Sequence, residues 1–180
     1  MPATSSVLLS SPPNADEHLP YYTRYISTVP AGDVLATLEA QLQETTSLLR
    51  GIGEENAAYR YAPGKWSVKE VIGHVLDAER VFSYRALCAA RGETAPLPSF
   101  EQDDYVANGN FDGRTLDSLI DELTAVRRST LALFRSMDDT ALARRVVASS
   151  APVTARALAW ILAGHERHHQ RILREHYLTR

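Results

Sequence analysis

The sequence predicts an all-α fold, a four-helix bundle with long crossover connections. Apolar residues recur at steps of three and four, the period of an amphipathic helix, in four separate stretches. These stretches cover about residues 33–51, 67–91, 115–137 and 153–178. The connections 92–114 and 138–152 are long, and a connection such as 92–114 suits a bundle whose consecutive helices are not neighbours. We expect no strand, because Val146-Val147 is too short to count as one.

The first 26 residues divide into two parts. Residues 1–20 are rich in proline, serine and alanine, which predicts a flexible leader before a single domain over residues 21–180. The stretch Tyr21-Tyr22-Thr23-Arg24-Tyr25-Ile26 holds three tyrosines. Since tyrosine combines an apolar ring with a polar hydroxyl, we expect this stretch to lie on the bundle, either near a pocket mouth or simply packed as a leader strand.

Start and stop signals mark the first two helices. Asp33 is expected to cap the first helix, which runs to about Gly51. The stretch Ser67-Val68-Lys69-Glu70 has the form of a capping box, in which the serine and the glutamate each bond the other's backbone. The second helix therefore begins here and ends near Gly92.

The later helices follow from periodicity. The third is expected over about Thr115–Met137, and the fourth over about Val153–Leu178, directly after Pro152. The connection 92–114 has room for a short helix around Phe100–Ala107.

Composition excludes several classes of protein. Charged residues make up 23% of the chain and the net charge is -3, with no basic patch for nucleic acid. One cysteine cannot form an internal disulfide. No apolar run approaches the roughly 18 residues of a membrane-spanning helix, and the first ten residues do not resemble a secretory signal. We expect a cytoplasmic protein with neither a membrane nor a nucleic-acid partner.

The inward row of the fourth helix carries the chemistry. The row reads Leu158, Leu162, His165, His169, Ile172 and His176. Because positions four apart lie on one face, the imidazoles of His165 and His169 can approach a common point. A buried imidazole is costly unless its nitrogens are satisfied, and a metal ion satisfies both rings at once.

The second helix offers a third histidine on its own inward row. That row reads Val71, His74, Ala78, Val81, Arg85 and Cys88. Metal sites in bundles are built from side chains on facing helices. We therefore expect one divalent metal ion, Zn or Ni before Fe or Cu, on His74, His165 and His169. Three protein ligands leave a position open, as in catalytic sites. The alternative is a set of hydrogen-bonded core histidines.

Two carboxylates are candidates for proton transfer or for orienting a ligand. Glu166 directly follows His165, and Asp77 lies one turn after His74. For Asp77, an ordinary polar helix residue is an equally good interpretation.

The remaining histidines and the cysteine are not expected to bind the ion. His168 lies off the row by about 60°, so we expect it to support the site from outside or to face solvent. His176 lies roughly 10 Å beyond His169, and Cys88 roughly 21 Å beyond His74. His18 belongs to the predicted leader.

The stretch His165-Glu166-Arg167-His168-His169 matches H-E-x-x-H, the zinc-protease helix. The extended form of that motif needs glycine at position 172 and histidine at position 175, where this chain has Ile172 and Glu175. The chain after His169 is also too short for a further lobe, which argues against a protease.

These residues also resemble the DinB/YfiT-like superfamily. The resemblance rests on the stretch from Lys65 to Asp77, KWSVKEVIGHVLD, and on the stretch from Gly164 to His169, GHERHH. It implies a four-helix bundle with long crossovers, often a homodimer. It also implies a metal ion on three histidines, which correspond to His74, His165 and His169.

The resemblance leaves three functions open. We expect a metal-dependent enzyme, first of all a thiol-dependent S-transferase that activates a low-molecular-weight thiol such as bacillithiol, mycothiol or glutathione at the three-histidine site. The first alternative is a metal-dependent hydrolase using a metal-bound hydroxide, with a small molecule as its substrate. The second is a non-catalytic, stress-linked binding or interaction module.

Overall fold

Four long helices form the bundle in the computed structural model, which describes residues 6–178. The α-helices of this part of the chain are α1 (Thr23–Ile26), α2 (Val34–Ile52), α3 (Val68–Arg91), α4 (Gln102–Asn108), α5 (Leu116–Arg135), α6 (Asp139–Ala143) and α7 (Ala155–His176). Single 3-10 turns occur at Val7–Leu9, Ala15–Glu17, Pro20–Tyr22, Glu54–Asn56 and Phe111–Gly113. The predicted four-helix bundle is confirmed, with α2, α3, α5 and α7 as its long helices.

Consecutive long helices do not all lie side by side. Helix α2 packs against α5 and α7, and α3 packs against the same two helices. Helices α2 and α3 therefore lie across one diagonal of the bundle, and α5 and α7 across the other. This is the non-sequential arrangement that long crossovers permit.

The helix starts follow the predicted capping chemistry. The Asp33 carboxylate accepts a hydrogen bond from the backbone of Leu35 at 2.8 Å. At the start of α3, Ser67 Oγ accepts from the Glu70 backbone at 3.0 Å, and Glu70 Oε2 accepts from the Ser67 backbone at 2.8 Å. Gly92 ends α3 in the left-handed conformation, with φ of 77°. Local sequence thus sets the register of the helix that carries His74.

A β-hairpin corrects the prediction that the chain has no strand. Strands β1 (Arg145–Ala148) and β2 (Ala151–Thr154) pair antiparallel, with Ala148 opposite Ala151. The two turn residues, Ser149 and Ser150, both have positive φ, as two-residue hairpins require. Serine is not a typical residue there, so the turn leaves no clear signal in the sequence. Helix α7 therefore begins two residues later than predicted, after the Thr154 cap.

The predicted flexible leader is wrong for residues 6–20, which lie folded against the bundle; residues 1–5 lie outside the described part. Leu9 is buried in the core. Glu17 is 6% exposed, and its carboxylate accepts hydrogen bonds from Thr154 Oγ1 at 2.8 Å and from Arg156 Nε at 2.7 Å. A buried ion pair to a residue far along the chain cannot be read from the composition of the leader.

The centre of the fold is the first half of α7, in which every residue from Ala155 to Glu166 is buried. Helices α1, α2 and α3 and the hairpin all pack around it. No described helix combines the length and the apolar character needed to cross a membrane.

Candidate metal centre

The structure brings together all three histidines predicted to bind a metal ion. His74 Nε2, on α3, lies 3.0 Å from His165 Nε2, and His165 Nε2 lies 3.2 Å from His169 Nε2, both on α7. The candidate ligand nitrogens all lie within 4.8 Å of one another. The three residues are 3%, 7% and 8% exposed, respectively. We call this group the histidine cluster.

The geometry of the histidine cluster fits a metal ion. A tetrahedral zinc ion with bonds of about 2.0–2.1 Å holds its ligand nitrogens about 3.3–3.4 Å apart. The two shortest nitrogen pairs here are close to that separation. A proton could bridge one such pair, but a cation satisfies the lone pairs of all three nitrogens together. The donor set, three imidazoles, suits Zn and several other divalent transition metals.

The three imidazoles are held in the uncharged form. Burial lowers the pKa of His74 to about 4, and the charge of His168 adds to the effect. Burial also lowers the pKa of His165 and of His169 well below the usual 6.5, and the neighbouring histidines lower both further. Neutral imidazole is the form that binds metal ions, so the cluster is ready to bind at neutral pH.

Two of the three histidines directly follow a glycine, and each glycine allows another segment of the chain to pack closely beside the cluster. A Cβ atom on Gly164, next to His165, would lie 2.2 Å from the carbonyl oxygen of Tyr25. A Cβ atom on Gly73, next to His74, would lie 2.3 Å from the ring of Phe111. The Gly-His pair occurs twice in the sequence, and each time it marks a point of close packing beside a candidate ligand.

Aromatic rings enclose the histidine cluster. The ring of Tyr25 lies 5.5 Å from that of His165 and 5.4 Å from that of His168, between ring centres. Trp66 covers His74 with ring centres 4.9 Å apart. The tyrosine-rich stretch therefore lies at the site itself, the first of its two predicted positions.

Two cavities border the cluster. One of about 300 Å³ is lined by His74 and His165, and one of about 320 Å³ by His169. Asp103, at the start of α4, borders both. Small molecules can therefore reach the cluster from the space under the 92–114 connection.

Both carboxylate oxygens of Glu166 are hydrogen-bonded to other side chains, which argues against its predicted role in proton transfer. Its Oε1 accepts from Thr45 Oγ1 at 2.5 Å, and its Oε2 accepts from Arg127 Nη2 at 2.7 Å. Arg127 also donates to both oxygens of Glu79, at 2.8 Å each. All three charged groups are buried. Because both oxygens of Glu166 are engaged, we interpret it as part of a buried ion network.

Asp77 interacts with charged side chains outside the histidine cluster. Burial raises the pKa of Asp77; the charge of Arg80 opposes this and that of Glu122 adds to it. Arg80 Nη1 lies 3.6 Å from Asp77 Oδ1. Within residues 6–178 no hydrogen bond joins Asp77 to His74, so these contacts favour the ordinary helix residue.

The other histidines and the cysteine lie outside the cluster. His168 is half-buried, with its ring centre 5.0 Å from that of His169. His176 is exposed and stacks on Tyr61. His18 is buried, and its Nδ1 lies 2.8 Å from the backbone oxygen of the next residue. Cys88 is a buried core residue.

Comparison with known proteins gives a family and a fold. The sequence profile of the DinB superfamily matches residues 37–173, which include the whole histidine cluster. YfiT from Bacillus subtilis, a probable metal-dependent hydrolase with an unusual four-helix bundle topology, has a TM-score of 0.65 and 16% identity, covering 94% of this chain and 95% of its own.

A second solved structure is also similar. The mycothiol-dependent maleylpyruvate isomerase has a TM-score of 0.66 and 15% identity over 81% of this chain, but the match spans only 61% of the isomerase. No curated protein matches the sequence significantly. At these identities the two structures share a fold with this chain, and a shared fold does not by itself establish a shared function.

Proposed function

The chain belongs to the DinB superfamily, and we propose that it is a metal-dependent enzyme, most simply a thiol-dependent S-transferase. The observation that carries this proposal is the convergence of three buried, uncharged imidazoles beside a cavity of about 300 Å³. A buried cluster of this kind without a ligand cavity would suit a structural site instead.

The residues of the cluster have distinct parts in this proposal. His74, His165 and His169 would hold a divalent ion, and such an ion lowers the pKa of a thiol or a water molecule bound to it. Tyr25 and Trp66 pack against His165 and His74 and reduce the solvent exposure of these two rings. In the transfer, the thiol sulfur bonds to the electrophilic carbon, the leaving group departs with its electron pair, and the thiol proton passes to solvent.

The surroundings of the cluster favour a thiol over water. Of the described carboxylates, Glu166 is bonded to Arg127, and Asp77 lies 3.6 Å from Arg80 and does not line the cavity. The two that do line it, Glu101 and Asp103, are exposed at its rim. A thiol has an ordinary pKa of about 8.5 and needs little help to ionise. Water, at about 15.7, needs much more and gains most from a general base. The mycothiol dependence of the similar isomerase supports the same choice.

Hydrolysis is the second candidate. YfiT, matched over almost the whole of both chains, is a probable metal-dependent hydrolase. Glu101 and Asp103 line the cavity and are exposed, so either could serve as a base from its rim.

Metal analysis followed by a thiol panel tests the proposal. The metal-loaded protein would be assayed with bacillithiol, mycothiol and glutathione against a common electrophile such as 1-chloro-2,4-dinitrobenzene. His165→Ala should abolish turnover and metal binding, whereas His176→Ala should change neither. Equal turnover in His165→Ala would exclude a role for the cluster. Ester hydrolysis without thiol would favour the second candidate.

A further inference from the structure

Arg85 is a buried cation without a carboxylate partner in the described part of the chain. It is 3% exposed, and its Nη2 donates to the backbone oxygen of Pro98 at 2.7 Å and to Ser149 Oγ at 3.1 Å. The two other buried arginines each pair with carboxylates. Arg127 bonds Glu79 and Glu166, and Arg156 bonds Glu17.

An unpaired buried charge is unfavourable for folding. Arginine is almost never buried unless it is paired, because its charge loses the favourable interaction with water. Departures of this kind from the usual rules of burial are expected mainly at functional sites. Its hydrogen-bond partners are neutral, and the Phe82 ring, whose centre lies 5.9 Å from the guanidinium carbon, attracts the cation weakly, so no described group supplies a full negative charge.

Arg85 lines the same cavity of about 300 Å³ as His74 and His165. Arg85 and His74 lie on the same inward row of α3, about 16 Å apart along the helix axis at 1.5 Å per residue. The guanidinium carbon lies 5.9 Å from the centre of the Phe82 ring, which is itself 6.0 Å from the His165 ring, so the guanidinium is nearer to the cluster than its backbone is. A ligand that reaches both groups is therefore elongated.

The walls of the cavity suit the carbon chain of such a ligand. Phe82 lies between His74 and Arg85 along α3. Its ring contacts those of Tyr22 and His165 edge-on, at 6.1 and 6.0 Å between ring centres. Burial raises the pKa of Tyr22, and the charge of Arg85 opposes that shift, so the Tyr22 hydroxyl lies within the field of the guanidinium.

The mouth of the cavity limits the charge of the ligand. Glu101 and Asp103 line it and are exposed, and neither lies within ion-pair distance of Arg85. Their negative charges repel a highly charged ligand such as a polyphosphate more strongly than a small mono- or dicarboxylate that passes them to reach the buried cation.

We propose that Arg85 binds the carboxylate of an elongated ligand that enters the metal cavity. The ligand is a reactant of the proposed function, either the thiol or its electrophile, and the inference rests on that function only for this assignment. Arginine suits the task because its planar fork of N–H donors matches a carboxylate.

Binding of adipate to the metal-loaded protein, measured by calorimetry without any thiol, tests the proposal. Adipamide serves as the uncharged match. Adipate should bind the unaltered protein and adipamide should not. Arg85→Gln should weaken adipate binding at least about tenfold, the effect of losing a charge-assisted hydrogen bond. Arg91→Gln, on the exposed end of the same helix, should bind as the unaltered protein does. Unchanged affinity in Arg85→Gln would overturn the proposal.

A structural role for Arg85 gives a different result. If Arg85 only ties Pro98 to the Ser149 turn, Arg85→Gln loses thermal stability but keeps its adipate affinity, and the proposal fails. If that variant does not fold, Arg85→Lys takes its place, because lysine lacks the planar fork of donors, and an adipate affinity in Arg85→Lys equal to that of the unaltered protein would refute the proposal.

The adipate measurement can distinguish failure of the Arg85 proposal from failure of the proposed transferase function. Adipate binding in a protein that transfers no thiol would retain the Arg85 site and reject the transferase. If the protein is active, two thiols show which reactant carries the carboxylate that Arg85 binds. 6-Mercaptohexanoate ends in a carboxylate, and 6-mercapto-1-hexanol is its uncharged match. A KM that rises in Arg85→Gln for the acid alone places the carboxylate on the thiol, whereas a rise confined to a carboxylate-bearing electrophile places it there. Either result supports the site.

Discussion

His74 Nε2 and His165 Nε2 lie 3.0 Å apart, although 91 residues separate the two histidines in the chain. Their contact depends on the packing of α3 against α7, the two helices with the most extensive contact in the bundle. The spacing of the histidines is therefore a property of the folded core, and a metal ion bound there would link the two helices directly.

Loss of one histidine should remove the metal ion. We expect His74→Ala and His169→Ala, like His165→Ala, to lower the zinc content from about one ion per chain to well below one, because two imidazoles on a tetrahedral ion leave two positions to water. Elemental analysis of zinc-loaded, desalted protein checks this. The exposed His176 provides the control, and full occupancy in His74→Ala would show that α3 supplies no ligand.

The buried ion network should respond sharply to removal of its cation. Arg127→Met leaves Glu79 and Glu166 buried without their partner, which should cost about 3–5 kcal/mol of unfolding free energy. Arg135→Met, on the same helix at an exposed pair with Glu39, should cost about 0–1 kcal/mol. Urea unfolding measures both, and equal losses would contradict the assignment of a buried network.

Removal of all three charges is a second test of whether Arg127, Glu79 and Glu166 form one buried network. The triple variant Arg127→Met, Glu79→Gln and Glu166→Gln should recover part of the stability that Arg127→Met loses, because no buried carboxylate then lacks a partner. A triple variant less stable than Arg127→Met would indicate that the carboxylates act independently of the arginine.

Substitution of the two glycines beside the histidines should displace different segments of the chain. Gly164→Ala forces a Cβ against the backbone of Tyr25, so the segment with α1 must move away from α7. Gly73→Ala forces a Cβ against the Phe111 ring instead. Both should lower thermal stability, but only Gly164→Ala should speed limited proteolysis within residues 10–28. Similar cleavage in the two variants would refute this account.

The Glu17 contact should make stability depend on pH in acid. Burial by itself would raise the pKa of Glu17, but hydrogen bonds from Arg156, the Asn14 backbone and Thr154, together with the Arg156 charge, lower it from 4.5 to about 2. Since the folded pKa is below the unfolded one, this stabilisation is complete above pH 4.5 and is lost as the pH falls toward 2.

Unfolding free energies between pH 5 and pH 2 measure that effect. Glu17→Gln should reduce the decline across this window, because the substituted side chain has no proton to bind. The exposed Glu39 supplies a control in Glu39→Gln, whose profile should follow that of the unaltered protein. A Glu17→Gln profile as steep as the original would show that other carboxylates dominate.

Local chemistry explains what the sequence predicted well. The caps at Asp33 and Ser67 depend on residues within one helical turn, so the starts of α2 and α3 could be read directly. The convergence of His165 with His169 follows from helical spacing alone. His74 was assigned by its place on an inward row, which required only that two amphipathic faces meet.

Distant partners explain what the sequence did not predict. Glu166 follows a predicted ligand, but its role is set by Arg127 and Thr45 on two other helices. The two residues of the hairpin turn are serines with positive φ, and serine is not typical of that backbone conformation. Arg85 lay on the predicted inward row, yet its lack of a carboxylate could be recognised only once its neighbours in the fold were known.

The position of Tyr25 has a consequence for how relatives could diverge. Its ring lies against His165, yet it precedes residue 37, where the match to the superfamily begins. The candidate metal ligands thus belong to the shared stretch, and part of the wall that contacts incoming molecules belongs to a segment outside it. Exchange of residues 6–29 between relatives should therefore reshape the cavity wall formed by Tyr21, Tyr22 and Tyr25, while the three candidate metal ligands and Arg85 stay in place.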